Sequence, residues 1–242
     1  KHYFTPSEEP RGVGVHPHRG FETVTIAYHG KIAHHDSAGN SGVIAQGDLQ
    51  WMTAASGILH KEYHEKEWGK MGGIMQMVQI WVNLPAKFKM SEPKYQAINN
   101  DQLGKVRLPH NKGEIEVIAG NFQGVQGPAS TFTPIEMYNL KLRPLAKLSI
   151  SLPENYNTGL LILEGNIKLS GFDVHENQFV LFENIGTEIE LETIDETIIL
   201  LLSGEPIEEP IYPYGPFLMN TKQEIIQAYQ DLELGKFGYL ED

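Results

Sequence analysis

Apolar side chains recur at every second position along much of this chain, in short runs that glycine, proline or asparagine cuts off. Leu148, Ile150 and Leu152 alternate with Lys147, Ser149 and Ser151, and Ile74, Val78, Ile80 and Val82 share one face of a segment whose other face carries Met75, Met77, Gln79 and Trp81. A period of two belongs to an extended chain that buries one face, so the pattern predicts an all-β protein. Strands are expected near 21–29, 42–46, 48–53, 57–64, 115–119, 135–142, 158–163, 166–169, 179–182 and 197–203. So many short strands favour a sandwich or barrel.

The period changes only near the C-terminus. Thr221 and Glu224 have capping-box spacing, and Ile225, Ile226, Tyr229 and Leu232 fall on one helical stripe before Gly235. One amphipathic helix is expected over 221–234, and it needs a docking surface because an isolated helix of this length is marginal in water. The strand pattern also repeats. HGKI at 29–32 resembles EGNI at 164–167, and DLQWMTAASG at 48–57 has its counterpart in NQFVLFENIG at 177–186. Two related β-barrel (jelly-roll) halves are therefore expected, 1–114 and 115–242, joined through a turn-rich stretch containing Pro85, Pro93, Gly104, Pro109 and Gly113.

Composition narrows the chemistry. The 31 acidic residues outnumber 19 Lys and Arg, a formal charge of −12 that disfavours direct nucleic-acid binding where the basic residues are scattered. There is no cysteine, so disulfides, iron–sulfur clusters, thiolate zinc sites and cysteine nucleophiles are excluded, and any metal must use histidine and carboxylate. The longest apolar runs, such as Ile198 to Leu202, are too short to span a bilayer. A cytoplasmic location is expected. The first residue is Lys1 rather than Met, so a preceding segment is expected to be missing and a lost targeting signal stays open.

Seven of the ten histidines, His16, His18, His29, His34, His35, His60 and His64, fall between positions 16 and 64. Residues two apart on a strand point to the same side. His16 can therefore converge with His18, and His60 with Glu62, so that two facing strands present three imidazoles and one carboxylate. Such a set suits iron, nickel, copper, manganese, cobalt or zinc in a catalytic site with open positions better than a closed structural zinc site. Phe21, Trp51 and Trp81 either wall an apolar cavity beside the ion or fill barrel core. For Phe21 and Trp81 core packing is the preferred reading.

HPHRGFETVT at 16–25, GDLQWMTAASGILHKE at 47–62, QIWVNLP at 79–85 and GPFLMNTKQEI at 215–225 closely resemble the pirin family of the cupin superfamily, over essentially the whole chain. The resemblance implies a bicupin fold with one divalent metal per chain, Fe(II) first, held by His16, His18, His60 and Glu62 in the N-terminal cupin. The internal repeat adds that the C-terminal half holds no metal, because setting Gly57 on Gly186 puts Ile189 and Leu191 at the places of His60 and Glu62, and setting Gly30 on Gly165 puts Ser151 and Pro153 at those of His16 and His18. Glu22 occupies the carboxylate position of the general cupin motif, but pirins take theirs from the second motif, so Glu22 is expected to play a supporting role. His34 falls in a segment resembling the family's A-H-E-D run and either lines the pocket mouth or orients a ligand. His64 departs from the family and is expected at the rim. The activity implied is quercetinase-type ring opening of a flavonol by dioxygen (quercetin 2,3-dioxygenase, flavonol 2,4-dioxygenase), with Glu62 doubling as the base. The alternative is a metal- and redox-dependent regulator acting through a protein partner.

Overall fold

Strands with two chemically different faces must stack in pairs to bury the apolar one, and the first part of this chain does so with two antiparallel sheets. The computed structural model describes residues 1–242. Its first strands are β1 (His2–Phe4), β2 (Gly12–His18), β3 (Phe21–His29), β4 (Ile32–Asp36), β5 (Ser41–Ile44), β6 (Leu49–Thr53) and β7 (Ile58–His64). A short helix α1 (Lys66–Met71), β8 (Gly73–Asn83) and β9 (Lys94–Ile98) follow. One sheet runs β1-β8-β3-β6-β9 and the other β2-β7-β4-β5.

Cross-strand partners share a face, so the pairs Thr25↔Gln50 and Thr25↔Gln79, with Thr23↔Met52 and Thr23↔Trp81, define the inner face of the first sheet. The opposite face carries Glu22, Val24, Ile26, Leu49 and Trp51, all fully buried. In the second sheet β2 pairs with β7 through a bulge: Val13 lies opposite Glu62 and His16 opposite His60, so β2 holds one extra residue between these pairs. A bulge of this kind re-aims the side chains that follow it, here His16 and His18.

The later strands are β10 (Gly104–Arg107), β11 (Gly113–Ala119), β12 (Asn121–Phe122), β13 (Val125–Gln126), β14 (Ile135–Leu142) and β15 (Lys147–Ser151). They continue with β16 (Asn157–Glu164), β17 (Ile167–Leu169), β18 (Phe172–Val174), β19 (Phe179–Leu181), β20 (Glu188–Thr193) and β21 (Thr197–Gly204). They form the sheets β10-β11-β14-β21-β16-β19 and β15-β20-β17-β18, with the β12–β13 hairpin beside them. Their shared core is almost wholly aliphatic, built on Ile115, Leu140, Ile150, Ile162, Ile189 and Leu201. No helix is long and apolar enough to cross a membrane.

The chain ends in a hairpin, β22 (Tyr212–Tyr214) and β23 (Phe217–Met219), and the helix α2 (Lys222–Glu233). The expected division at 114/115 needs correction at both ends, because the compact units are Lys1–Asp101 with Ile207–Asp242, and Gln102–Pro206. The reason is local pairing. β10, expected to be linker, pairs with β11 through Gly104↔Val117 to Arg107↔Glu114. Phe217, Met219, Ile225, Ala228 and Phe237 cluster together, with Leu59 of β7 packed against them. In α2 the cap is Thr221, as expected: its Oγ1 accepts from Glu224 N at 3.3 Å, and only the return bond differs, the Glu224 carboxylate accepting from Asn220 N at 3.0 Å. The buried stripe is Ile225, Ala228 and Asp231. Ile226, expected on it, is exposed.

Candidate metal centre

The bulge in β2 and the parity of β7 bring three imidazoles together. The ring of His16 lies 4.1 Å from that of His60, and the His18 ring lies 4.9 Å from each. The potential ligand atoms of all three lie within 4.8 Å of one another. His16 Nδ1 is 2.8 Å from Gly14 O and His18 Nδ1 is 3.2 Å from Pro216 O. A carbonyl only accepts, so both Nδ1 atoms carry the proton and both Nε2 atoms keep a free lone pair.

His60 is 0 % exposed, and neither of its ring nitrogens has a hydrogen-bond partner. Leaving two polar atoms buried and unsatisfied costs several kcal/mol by rough reckoning unless something else binds them. A metal ion bound at one ring nitrogen would satisfy that atom and leave the other N–H still to be paired. Burial, and then repulsion from the neighbouring imidazoles, also holds His60 well below the usual histidine range. His18 is lowered to about 4, by burial first, against the Pro216 carbonyl, which pulls it up. Neutral imidazole is the form that coordinates.

Glu62 is the candidate carboxylate, grouped with His60 and His34 within 4.8 Å rather than in the three-imidazole set. Its Oε1 accepts from Gln50 Nε2 at 2.5 Å and Thr25 Oγ1 at 3.2 Å, and its Oε2 accepts from Gln79 Nε2 at 2.6 Å. Gln50 is oriented in turn by Tyr95, whose hydroxyl donates to its Oε1 at 3.1 Å. Burial, and then the Asp36 and Glu62 charges, push that phenol up to about 12, so it keeps its proton. These donors were not anticipated from sequence. Their signal was available in the face parity of β3, β6 and β8, where polar Thr25, Gln50 and Gln79 occupy positions a barrel core would give to apolar residues.

His34 is fully buried and stacks on Tyr95, with ring centroids 4.8 Å apart at 14°. Its Nε2 lies 3.4 Å from Asp36 Oδ2 and its ring 5.5 Å from His60, so it is buried beside His60 and Glu62 and not at a mouth. Burial would raise the Asp36 carboxyl, but hydrogen bonds from His34 and Asn40 hold it below the usual range. Phe21 lies against His18 at 5.0 Å and Trp81 at 4.2 Å. Trp81 is 46 % exposed and 5.4 Å from His18. The structure thus differs from expectation on both tryptophans: Trp81 borders the cluster, whereas Trp51 is sealed on the other face of the sheet, paired with Val24. Glu22 is on that far face too. It accepts from Thr53 Oγ1 at 2.6 Å, and burial raises its carboxyl above the usual range. His64, expected at the rim, packs edge-on against Phe4 and Trp68 at 4.6 and 5.0 Å.

Comparison with known proteins identifies the family and the fold. The Pirin family profile covers residues 1–82 and that of the pirin C-terminal cupin domain residues 137–238. A Pseudomonas aeruginosa protein provisionally named quercetin 2,3-dioxygenase is 46 % identical over 234 residues, spanning 97 % of this chain and 82 % of its own. Human pirin is 36 % identical over 237 residues, or 95 % of this chain and 79 % of its own. The crystal structure of a quercetin 2,3-dioxygenase from Acinetobacter baumannii superposes with a TM-score of 0.95 at 42 % identity, covering 99 % of this chain and 84 % of that one. With two cupin halves, an inward-facing histidine cluster in the first and close relatives named pirin, the chain belongs to the pirin family.

Proposed function

We propose that this protein is a metal-dependent dioxygenase that opens the central ring of a flavonol such as quercetin, with one divalent ion, Fe(II) first, held by His16, His18, His60 and Glu62. The observation that carries the reading is His60: a sealed imidazole with both nitrogens unsatisfied, facing two histidines whose Nε2 lone pairs are free. The names of the Pseudomonas and Acinetobacter relatives support the substrate class.

When bound, the metal supplies Lewis acidity that makes the flavonol 3-hydroxyl more acidic and a partner for dioxygen activation. The chain's own residues do the rest. Glu62 is the carboxylate beside the imidazoles, and its Oε2, which accepts only from Gln79, is the atom that receives the hydroxyl proton. Gln50, Thr25 and Gln79 hold that carboxylate in one orientation, so the proton acceptor does not wander as the substrate changes charge. Trp81, 46 % exposed and backed by the buried Phe21, supplies an apolar flank beside His18 against which a flat ring can stack.

The test is metal analysis with oxygen uptake on quercetin. Wild-type protein should bind the ion and consume oxygen with the flavonol, and His60→Ala should lose both. Full metal content and wild-type turnover in His60→Ala would overturn the assignment. Flavonol binding by metal-loaded protein with no oxygen consumed would favour the regulatory reading instead.

A further inference from the structure

Three consecutive residues at the start of the cluster are each locked to the C-terminal hairpin, some two hundred positions later in the chain. His18 donates from Nδ1 to Pro216 O at 3.2 Å. Arg19 forms a parallel bridge with Phe217, and its carbonyl accepts from Leu218 N at 3.0 Å. Gly20 O accepts from Lys89 Nζ at 2.7 Å, and the same ammonium donates to Leu218 O at 2.9 Å and Asn83 Oδ1 at 2.6 Å. Gly20 has φ +90°, and a Cβ there would sit 2.1 Å from Leu218 O, so the hairpin could not lie this close to any other residue.

The anchoring behind the hairpin is ionic and buried. The Arg19 guanidinium donates to Asp231 Oδ2 of α2 at 2.8 Å with both side chains nearly sealed, donates from Nε to Ser56 O at 2.7 Å, and lies 4.7 Å over the Phe237 ring. Asp231 also accepts from Lys236 at 2.8 Å and Gln227 at 2.9 Å. Helix packing alone would be served by an apolar residue at position 231. A buried carboxylate aimed at the residue adjoining His18 serves to hold a register.

We propose that β22, β23 and α2 form the positioning element of the metal centre. The Pro216 carbonyl keeps His18 in its Nδ1–H tautomer with Nε2 turned into the cluster, and Asp231 and Lys89 are positioning residues that hold Pro216 in place. The inference rests on the metal reading above. Partners that orient a ligating imidazole typically account for 10–100-fold in metal affinity.

The experiment measures zinc affinity by chelator competition and histidine tautomers by nitrogen NMR, both on the full chain. In wild-type protein the His18 Nδ1 proton should be observed and slow to exchange, with Nε2 shifted on zinc binding. Asp231→Ala should weaken zinc 10–100-fold and shift the His18 ring signals, Asp231→Asn should recover part of the loss, and Glu233→Ala, exposed on the same helix, should behave as wild type. Wild-type affinity and unchanged His18 signals in Asp231→Ala would overturn the proposal. Should Asp231→Ala fail to fold, the wild-type spectrum decides, because an Nε2–H tautomer for His18 or a freely exchanging Nδ1 proton would also overturn it. Retention of zinc by His60→Ala would instead defeat the underlying metal reading, whereas loss of zinc there with full retention in Asp231→Ala defeats only the positioning role.

Discussion

A histidine sealed from solvent resists protonation, and the cost shows in how the metal-free protein should respond to acid. His18 in the folded chain takes up its proton only near pH 4, against 6.5 when unfolded, and His60 is displaced in the same direction. Between those values the unfolded chain binds more protons than the folded one, so stability falls as pH falls. For His18 alone the loss amounts to about 3 kcal/mol across the interval. Metal-stripped protein should therefore show a thermal midpoint that drops steadily from pH 6.5 toward 4, and a flat profile would contradict the buried, neutral state of these rings. The two tryptophans give a second prediction at this scale. Trp81→Ala should raise KM for a flavonol about five- to tenfold while leaving metal content intact. Trp51→Ala should instead cost about 3–5 kcal/mol of stability, because it empties a fully buried position.

Among the elements, the bulge in β2 and the hairpin β22–β23 matter most to the site. The bulge places His16 opposite His60, and the hairpin supplies the carbonyl that orients His18. Lys89 joins the hairpin to the β2–β3 turn and to the end of β8. Lys89 is 1 % exposed, and its ammonium is lowered to about 8, by burial first, with Glu209 and Glu224 pulling it back up. Lys89→Met would relieve the buried charge but leave two carbonyls and an amide oxygen without their donor. The expected result is a loss of about 3 kcal/mol, read from denaturant unfolding. A variant as stable as wild type would show that water replaces the ammonium at no cost.

Across the whole molecule, two units of one ancestry-like pattern have opposite interiors. Where the first unit pairs His16 with His60, the second pairs β15 with β20 through Ile150↔Ile189 and Leu148↔Leu191, all in its aliphatic core. The short sequence repeat, with Gly30 set on Gly165, puts Ser151 opposite His16. The pairing sets Ile150, not Ser151, across from Ile189, the counterpart of His60, while Ser151 pairs with Glu188 and its hydroxyl donates to that carboxylate. An interior of isoleucine and leucine offers no ligand. Metal analysis on fully loaded protein should return a ratio near one ion per chain, and a second ion that survives His60→Ala would overturn this expectation.

Periodicity and residue chemistry by themselves determined the fold class, the strand set around 21–29, 48–53, 57–64, 135–142 and 197–203, the helix before Gly235, and which histidines share a strand face. Each depends on neighbours within a few residues, where the period of two or of 3.6 acts directly on the chain. Tertiary structure alone decided the rest. No local signal distinguishes Trp51 from Trp81, because both alternate correctly and only the stacking of the sheets says which face meets the imidazoles. Gln50, Gln79 and Thr25 lie on three different strands, and their convergence on Glu62 follows from cross-strand register. The return of residues 207–242 to the first unit depends on buried contacts such as Arg19 with Asp231, between groups far apart along the chain. A pairing at that separation leaves no periodic trace in either partner, since its energy comes from desolvated charge and shape at one point rather than from a repeating pattern.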